Sequence, residues 1–412
     1  MATVLPATAA EFGLWYQEQA AALPGRYLCL AAAEPRTGTR VGLRHAADAM
    51  TAVLAGHPEE LARFAVDEHG LLHKVLESPT ATPPAEFLTF PAEWSRTDVI
   101  SHLTGLPTPL ATGPLVHLAA QADDRGNAAR LFVLAHHIVW DTRSEEVFWT
   151  EVDRRLTGPG EGGVSPSVHH VATQDHAPLV TDPQLHLTIP NEDRVWERLA
   201  AAARRAGVTP FAWTVGHLAA AAAVWSEPAT IRAYIDVDLR PLAGTSPDTM
   251  GFHLSQLDIA TVDRGTSGAA AAATVHTAVL HRLDAAARRG IRPDSETTGH
   301  DGHPVKFYFR HIRYQNRLHN LRPVAIRLPV ARNQLSVGVT VTDTGLDLTV
   351  TARRGTADST DVERLARLAR QHLISAAAHG ERMADDAASQ ARRSTGSVVA
   401  RQLRGAHGAP PP

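Results

Sequence analysis

A single cysteine, Cys29, in 412 residues excludes an internal disulfide and a thiolate metal cage, and it suits a reducing cytoplasm. Lysine is nearly absent: only Lys74 and Lys306 occur, and every other cation is arginine. With the abundant alanine, this reads as the codon bias of a GC-rich genome and carries no functional meaning. The 40 basic and 43 acidic residues leave a net charge of −3, without the basic footprint of a nucleic-acid binder. The longest apolar run, Phe211 to Trp225, has 15 residues and contains His217, short of the roughly 20 that span a bilayer. It predicts a buried helix in a soluble protein, with no membrane partner. The start, Met1 to Pro6, lacks a basic segment followed by an apolar core, so no targeting signal is expected. There is no G-x-S-x-G nucleophile elbow, and Gly158 to Gly163 lacks the Lys-Ser/Thr ending of a phosphate loop.

What is present is a mixture of helical and strand periodicities, which predicts an α/β or α+β fold. Phe12, Trp15, Tyr16 and Ala20 mark an opening helix over Ala9–Ala22. Tyr27–Ala33 reads as a strand, Val41–Leu54 as containing a helix, and Phe64–Leu76 as a hairpin turning near Glu68-His69-Gly70, before a Pro-rich connector from Pro79 to Pro91. Leu115–Ala120 and Arg130–Trp140 read as paired strands, the second apolar enough to be buried on both faces. Ser144 is the expected cap of the helix that follows. Glycine and proline between Gly158 and Pro183 predict a boundary, so residues 1–178 and 179–385 are expected to form two lobes and 386–412 a disordered tail. In the second lobe, strand Leu185–Ile189 precedes helices Asp193–Ala206 (Asn191 as cap) and Pro210–Trp225. Further strands are expected at Ile231–Val237, Phe252–Thr261, Val305–Ile312, Val324–Leu328, Gln334–Thr342 and Leu346–Ala352, with helices Ala269–Arg289 and Asp361–Ala378.

Chemistry concentrates in Leu134-Ala135-His136-His137-Ile138-Val139-Trp140-Asp141-Thr142. On a strand, His136 and His137 would point to opposite faces, one structural and one toward a cleft. A neutral imidazole can take a proton near pH 7, because its unperturbed pKa is about 6.5. His137 and Asp141 also have helical metal-ligand spacing, but no further ligand accompanies them and no metal is expected. His169-His170 with Asp175 imitates the pattern inside the Gly/Pro-broken stretch and reads as loop.

The segment resembles the H-H-x-x-x-D-G signature of nonribosomal peptide synthetase condensation domains, in the wider superfamily of chloramphenicol acetyltransferase. Leu14-Trp15-Tyr16, His57 with Phe64, Pro109 to Leu115, Asp238-Leu239-Arg240-Pro241 and Met250 to Gln256 are similar to the family's other motifs, in order, over roughly residues 5 to 380. The resemblance implies two acetyltransferase-like lobes in a V with a tunnel between them. It implies that His137 is catalytic, that His136 is a structural neighbour, and that Asp141 is a structural carboxylate paired with Arg240. Trp140, Thr142, Gly251, Phe252 and Ser255 are the channel candidates. The implied donor is an acyl or aminoacyl thioester on the phosphopantetheine arm of a carrier protein, or on CoA; the acceptor is a small amine or alcohol, and the product an amide or ester of natural-product biosynthesis.

Departures from the pattern are Thr142 for the motif's glycine, Ser255 for an asparagine, Leu61 for an arginine, and a shortened stretch between Asp141 and Arg240 without the usual Trp-rich helical linker. Nothing in the chain resembles a carrier or adenylation domain, so a free-standing, monomeric, cytoplasmic enzyme is expected. The alternatives are a non-catalytic relative that recruits partners or binds a carrier-bound intermediate, and a modified chemistry such as cyclisation or dehydration.

Overall fold

Local signals start many of the elements, including a helix after Ser95 that is not among those expected from the sequence. Thr8 and Ser95 close capping boxes with Glu11 and Asp98, and Thr209 followed by Pro210 opens the apolar helix. The computed structural model describes residues 2–20, 26–76, 86–158, 167–171, 181–191, 194–227, 229–289, 302–311, 317–324, 326, 328–342 and 345–378. The tail expected over 386–412 lies outside them.

In chain order the first elements are β1 (Thr3–Pro6), α1 (Ala9–Gln19), β2 (Leu28–Pro35), α2 (Leu43–Ala55), β3 (Arg63–Val66), β4 (Leu72–Leu76), β5 (Phe87–Phe90), α3 (Arg96–Thr104), β6 (Val116–Ala122), β7 (Ala128–His136), α4 (Thr142–Thr157) and β8 (Val168–His170). They are followed by β9 (Gln184–Pro190), α5 (Val195–Arg205), α6 (Pro210–Trp225), β10 (Thr230–Asp238), α7 (Arg240–Ala243), β11 (Leu254–Asp263), α8 (Gly268–Arg289), β12 (His303–His311), β13 (Leu321–Val324), β14 (Leu335–Thr342) and β15 (Gly345–Ala352). A last helix, α9, covers 359–378.

Two six-stranded sheets organise these elements. One has the order β13-β2-β7-β6-β5-β8, the other β11-β10-β12-β14-β15-β9, and a small sheet β1-β4-β3 stands apart. The fold is therefore mixed α/β in two lobes. The chain does not divide cleanly between them. β13, from the C-terminal half, pairs antiparallel with β2, Val324 opposite Ala32, and completes the N-terminal sheet. The buried carboxylate of Asp153 on α4 anchors this crossover by accepting the backbone N–H groups of His319, Asn320 and Leu321, each at 2.8 Å.

Several local expectations are corrected. The strand expected at Val324–Leu328 ends where it was to begin and belongs to the opposite sheet, because its pairing partner is set by the crossover. β5 lies inside the expected Pro-rich connector. His169 and His170 are not loop: β8 runs parallel to β5, and Thr89 Oγ1 lies 2.7 Å from His170 Nδ1. α4 is capped by Asp141, with Ser144 three residues in as its reciprocal partner. α5 starts from Arg194, in the left-handed conformation and without a side-chain cap, in place of Asn191.

α6 is apolar on every side and accordingly buried in the C-terminal core, against α5, α8 and the sheet. Among the described residues no single helix is long and apolar enough to cross a membrane. The close approach of α6 to α8 depends on Gly216, where an added Cβ would lie 2.3 Å from the backbone nitrogen of Ala272. Gly216→Ala is expected to destabilise the protein by about 1–3 kcal/mol through overpacking, despite alanine's better helix propensity, and urea denaturation measures it.

Candidate active site

Leu131 to His136 of β7 are all buried, so the sheet delivers His136 into the N-terminal lobe with no exposure. The strand ends there. His137–Val139 form one turn of 3-10 helix. The two histidines therefore do not diverge by strand alternation; the turn separates them. The His136 ring caps this turn, Nδ1 accepting the Ile138 N–H at 3.1 Å, and its Nε2 lies 3.7 Å from Glu18 Oε2 on α1.

The His137 backbone N–H donates to Tyr27 O at 2.7 Å, which ties the turn to the residue before β2. Its ring nitrogen Nδ1 lies 2.6 Å from the carbonyl oxygen of Trp140. A carbonyl can only accept, so Nδ1 carries the proton and Nε2 keeps its lone pair. Among the described residues Nε2 has no hydrogen-bond partner. Burial, and then the Arg332 guanidinium, hold the imidazole well below the usual histidine range, so it is neutral at pH 7. The Phe252 ring meets the imidazole edge-on, centroids 5.1 Å apart.

Asp141 does not touch the imidazole. Its Oδ1 accepts the Ser144 N–H at 2.8 Å and Arg240 Nη2 at 3.0 Å; its Oδ2 lies 2.9 Å from Arg240 Nη1 and accepts the His253 N–H at 3.1 Å. The two side chains are 0% and 1% exposed. Arg240 spends its remaining donors on Asp238 Oδ1 at 3.0 Å and on the carbonyls of Thr249 and Gly251 at 2.8 and 3.2 Å. A buried charge pair is tolerable only when its other polar atoms are satisfied, and here they are. Ser144 Oγ accepts the Gly251 N–H at 2.9 Å. Gly251 has φ +123°, a conformation that favours glycine. Asp141 and Ser144 come from the N-terminal half, while Arg240, Gly251 and His253 come from the C-terminal half.

A second set of bonds joins the halves beside this latch. Arg143 Nε donates to Pro247 O at 2.7 Å, and Arg310 Nη2 meets Glu145 Oε1 at 3.0 Å. On β12, Val305 and Phe307 enter the C-terminal core, so Lys306, Tyr308 and Arg310 lie on the other face of the sheet, from which Arg310 reaches α4 of the first lobe. Lys306 pairs with Asp236 of the neighbouring strand β10.

The structure thus brings His136, His137, Asp141, Arg240, Gly251 and Phe252 together. Trp140, expected along the channel, buries its indole against Phe148 and contributes its carbonyl instead. Thr142 is exposed at the first turn of α4, and Ser255 lies on β11 opposite Val237. Sequence reasoning missed Cys29 and Arg332. Cys29 Sγ lies 3.5 Å from His137 Nδ1, and Arg332 Nη2 donates to that sulfur at 3.0 Å. Their proximity comes from the pairing of β2 with β7 and from the chain's return out of β13, neither of which a local pattern encodes.

Glu60, in the 3-10 turn Pro58–Leu61, was also missed. It is 0% exposed, and burial pushes its carboxyl well above the usual carboxylate range. The folded protein thus holds a proton that the unfolded chain releases, which costs stability above the unfolded pKa of about 4.3. Glu60→Leu is expected to raise stability near neutral pH by about 1–3 kcal/mol. The gain should shrink toward pH 4, as thermal melts across that range would show.

No family model and no curated protein matches this chain. Solved structures do. The first condensation domain of the calcium-dependent antibiotic synthetase, in complex with a substrate analogue, superposes with a TM-score of 0.69 at 18% identity, covering 91% of this chain and 97% of that one. The epimerization domain from the third module of tyrocidine synthetase B gives 0.68 at 14% identity, over 92% and 97%. The X-domain solved with OxyB from teicoplanin biosynthesis gives 0.66 at 15%, over 90% and 93%. The chain has the condensation-domain fold.

Proposed function

We propose that this protein transfers an acyl or aminoacyl group from a thioester, carried on the phosphopantetheine arm of a carrier protein or on CoA, to a small amine or alcohol. The observation that carries the reading is the imidazole of His137: fixed through Nδ1, neutral, and with Nε2 unspent, on a turn clamped between the halves by Asp141 and Arg240. In this reading the acceptor's nitrogen or oxygen attacks the thioester carbonyl and a C–N or C–O bond forms. The attacking group becomes strongly acidic as that bond forms, so even a weak base such as this half-buried imidazole can accept its proton at Nε2. Collapse of the tetrahedral intermediate breaks the C–S bond, and the thiolate recovers the proton. Asp141 holds the framework and takes no proton. The cytoplasmic and monomeric expectations belong to the same proposal, as does a division of the chain into lobes near residue 178.

The purified protein would be offered acyl thioesters of a carrier protein and of CoA, each with amine and alcohol acceptors, and products followed by mass spectrometry. Amide or ester formation supports the reading. Carrier binding without turnover of any donor and acceptor pair would replace it with a recruiting role. The similarity to the X-domain that was solved as a complex with OxyB favours that second reading.

A further inference from the structure

We infer that Arg332, acting beside Cys29, is a positioning residue that opposes a second proton on the His137 imidazole, whose Nδ1 proton the Trp140 carbonyl holds. This rests on the proposed role of His137 as proton acceptor.

Arg332 lies on the segment that returns from β13 to β14. Its Nη2 donates to the carbonyl of Leu28 at 2.6 Å and to Cys29 Sγ at 3.0 Å. The same sulfur stands 3.5 Å from His137 Nδ1, so a single atom separates the guanidinium from the imidazole. Burial pushes the Cys29 thiol up, so the sulfur stays uncharged and does not neutralise its neighbour. Arg332 has no carboxylate partner among the described residues.

The other charged groups packed around His137 are already committed. Asp141 is bound to Arg240, Glu145 to Arg310, and Lys306 to Asp236. Glu60, in the adjoining turn, has its carboxyl pushed well above the usual carboxylate range by burial, and Glu18 on α1 lies against His136. Among these groups Arg332 supplies an uncompensated positive charge on the Nδ1 side. A cation there opposes a second proton on the ring, which preserves the lone pair at Nε2 and speeds return of any proton that Nε2 accepts.

The test titrates the His137 Cε1–H resonance by NMR and records the pH–rate profile of acyl transfer for wild type, Arg332→Met and Arg332→Lys. Arg332→Met should move the His137 midpoint, and with it the acidic limb of the profile, upward by about one pH unit, a tenfold gain in proton affinity. Arg332→Lys should stay near wild type. Should Arg332→Met not fold, Arg332→Gln makes the same comparison with a donor retained toward Leu28. An unmoved midpoint in a folded, charge-removed variant overturns the inference. The NMR arm needs no substrate: if the wild type turns over no thioester, the acyl-transfer reading fails while the titration still decides what Arg332 does.

Discussion

Replacing His137 by alanine is expected to lower the rate of acyl transfer by about 10²–10⁴-fold, the usual contribution of a positioned base. The protein should stay folded. The ring is partly exposed and its single firm hydrogen bond runs to a carbonyl three residues away, so its loss leaves the latch between the halves intact. A residual rate should remain, because holding donor and acceptor together accelerates the reaction without any proton acceptor. Steady-state kinetics with a saturating carrier thioester would show the loss in kcat, with KM nearly unchanged. Equal rates for variant and wild type would remove His137 from the chemistry. His136→Ala should behave differently. That ring is fully buried and caps the turn, so its removal should lower stability along with rate.

Cutting the Asp141–Arg240 pair is the second large effect. Asp141→Ala leaves a buried guanidinium with only the partly exposed Asp238 as counter-charge, and Arg240→Ala strands a buried carboxylate; each is expected to cost about 3–5 kcal/mol. The carboxylate also caps α4 and accepts the His253 N–H, so Asp141→Ala loses a helix cap as well and should be the worse variant. Double replacement, Asp141→Leu with Arg240→Met, leaves no buried unpaired charge, because Asp238, which also loses Arg240, is 41% exposed, and should recover much of the stability. Activity should not return with it, because the N–H of His253, next to Phe252, loses its anchor and Phe252 packs on the His137 ring. Chemical denaturation beside rate measurements separates the two consequences. Equal stability losses for the single and double variants would show that the pair is not an isolated ionic unit.

Much of this site is readable along the chain because the motif is local. Strand, two histidines, turn and acidic cap occupy consecutive residues, and the apolar run Leu131 to Ala135 announces a buried strand before them. The partner of Asp141 is readable only through the family resemblance, since ninety-nine residues separate it from Arg240. Local pattern also misplaced two features. It extended β7 through His137, because Ile138, Val139 and Trp140 suit a strand as well as they suit a buried turn. It gave the α4 cap to Ser144, although Asp141, three residues earlier, accepts the helix N–H better as a charged group.

Hydrophobic periodicity by itself determined the mixed α/β class and most of the helices and strands, while the choice of His137 over His136 as the candidate base came from the family resemblance. Each depends on side chains close together in the chain. The sulfur and guanidinium beside His137, the burial of the acid Glu60, and the crossing of β13 into the first sheet were decided by tertiary structure alone. They arise from strand pairing and burial between distant segments, and the free energy of those contacts is written in no local window.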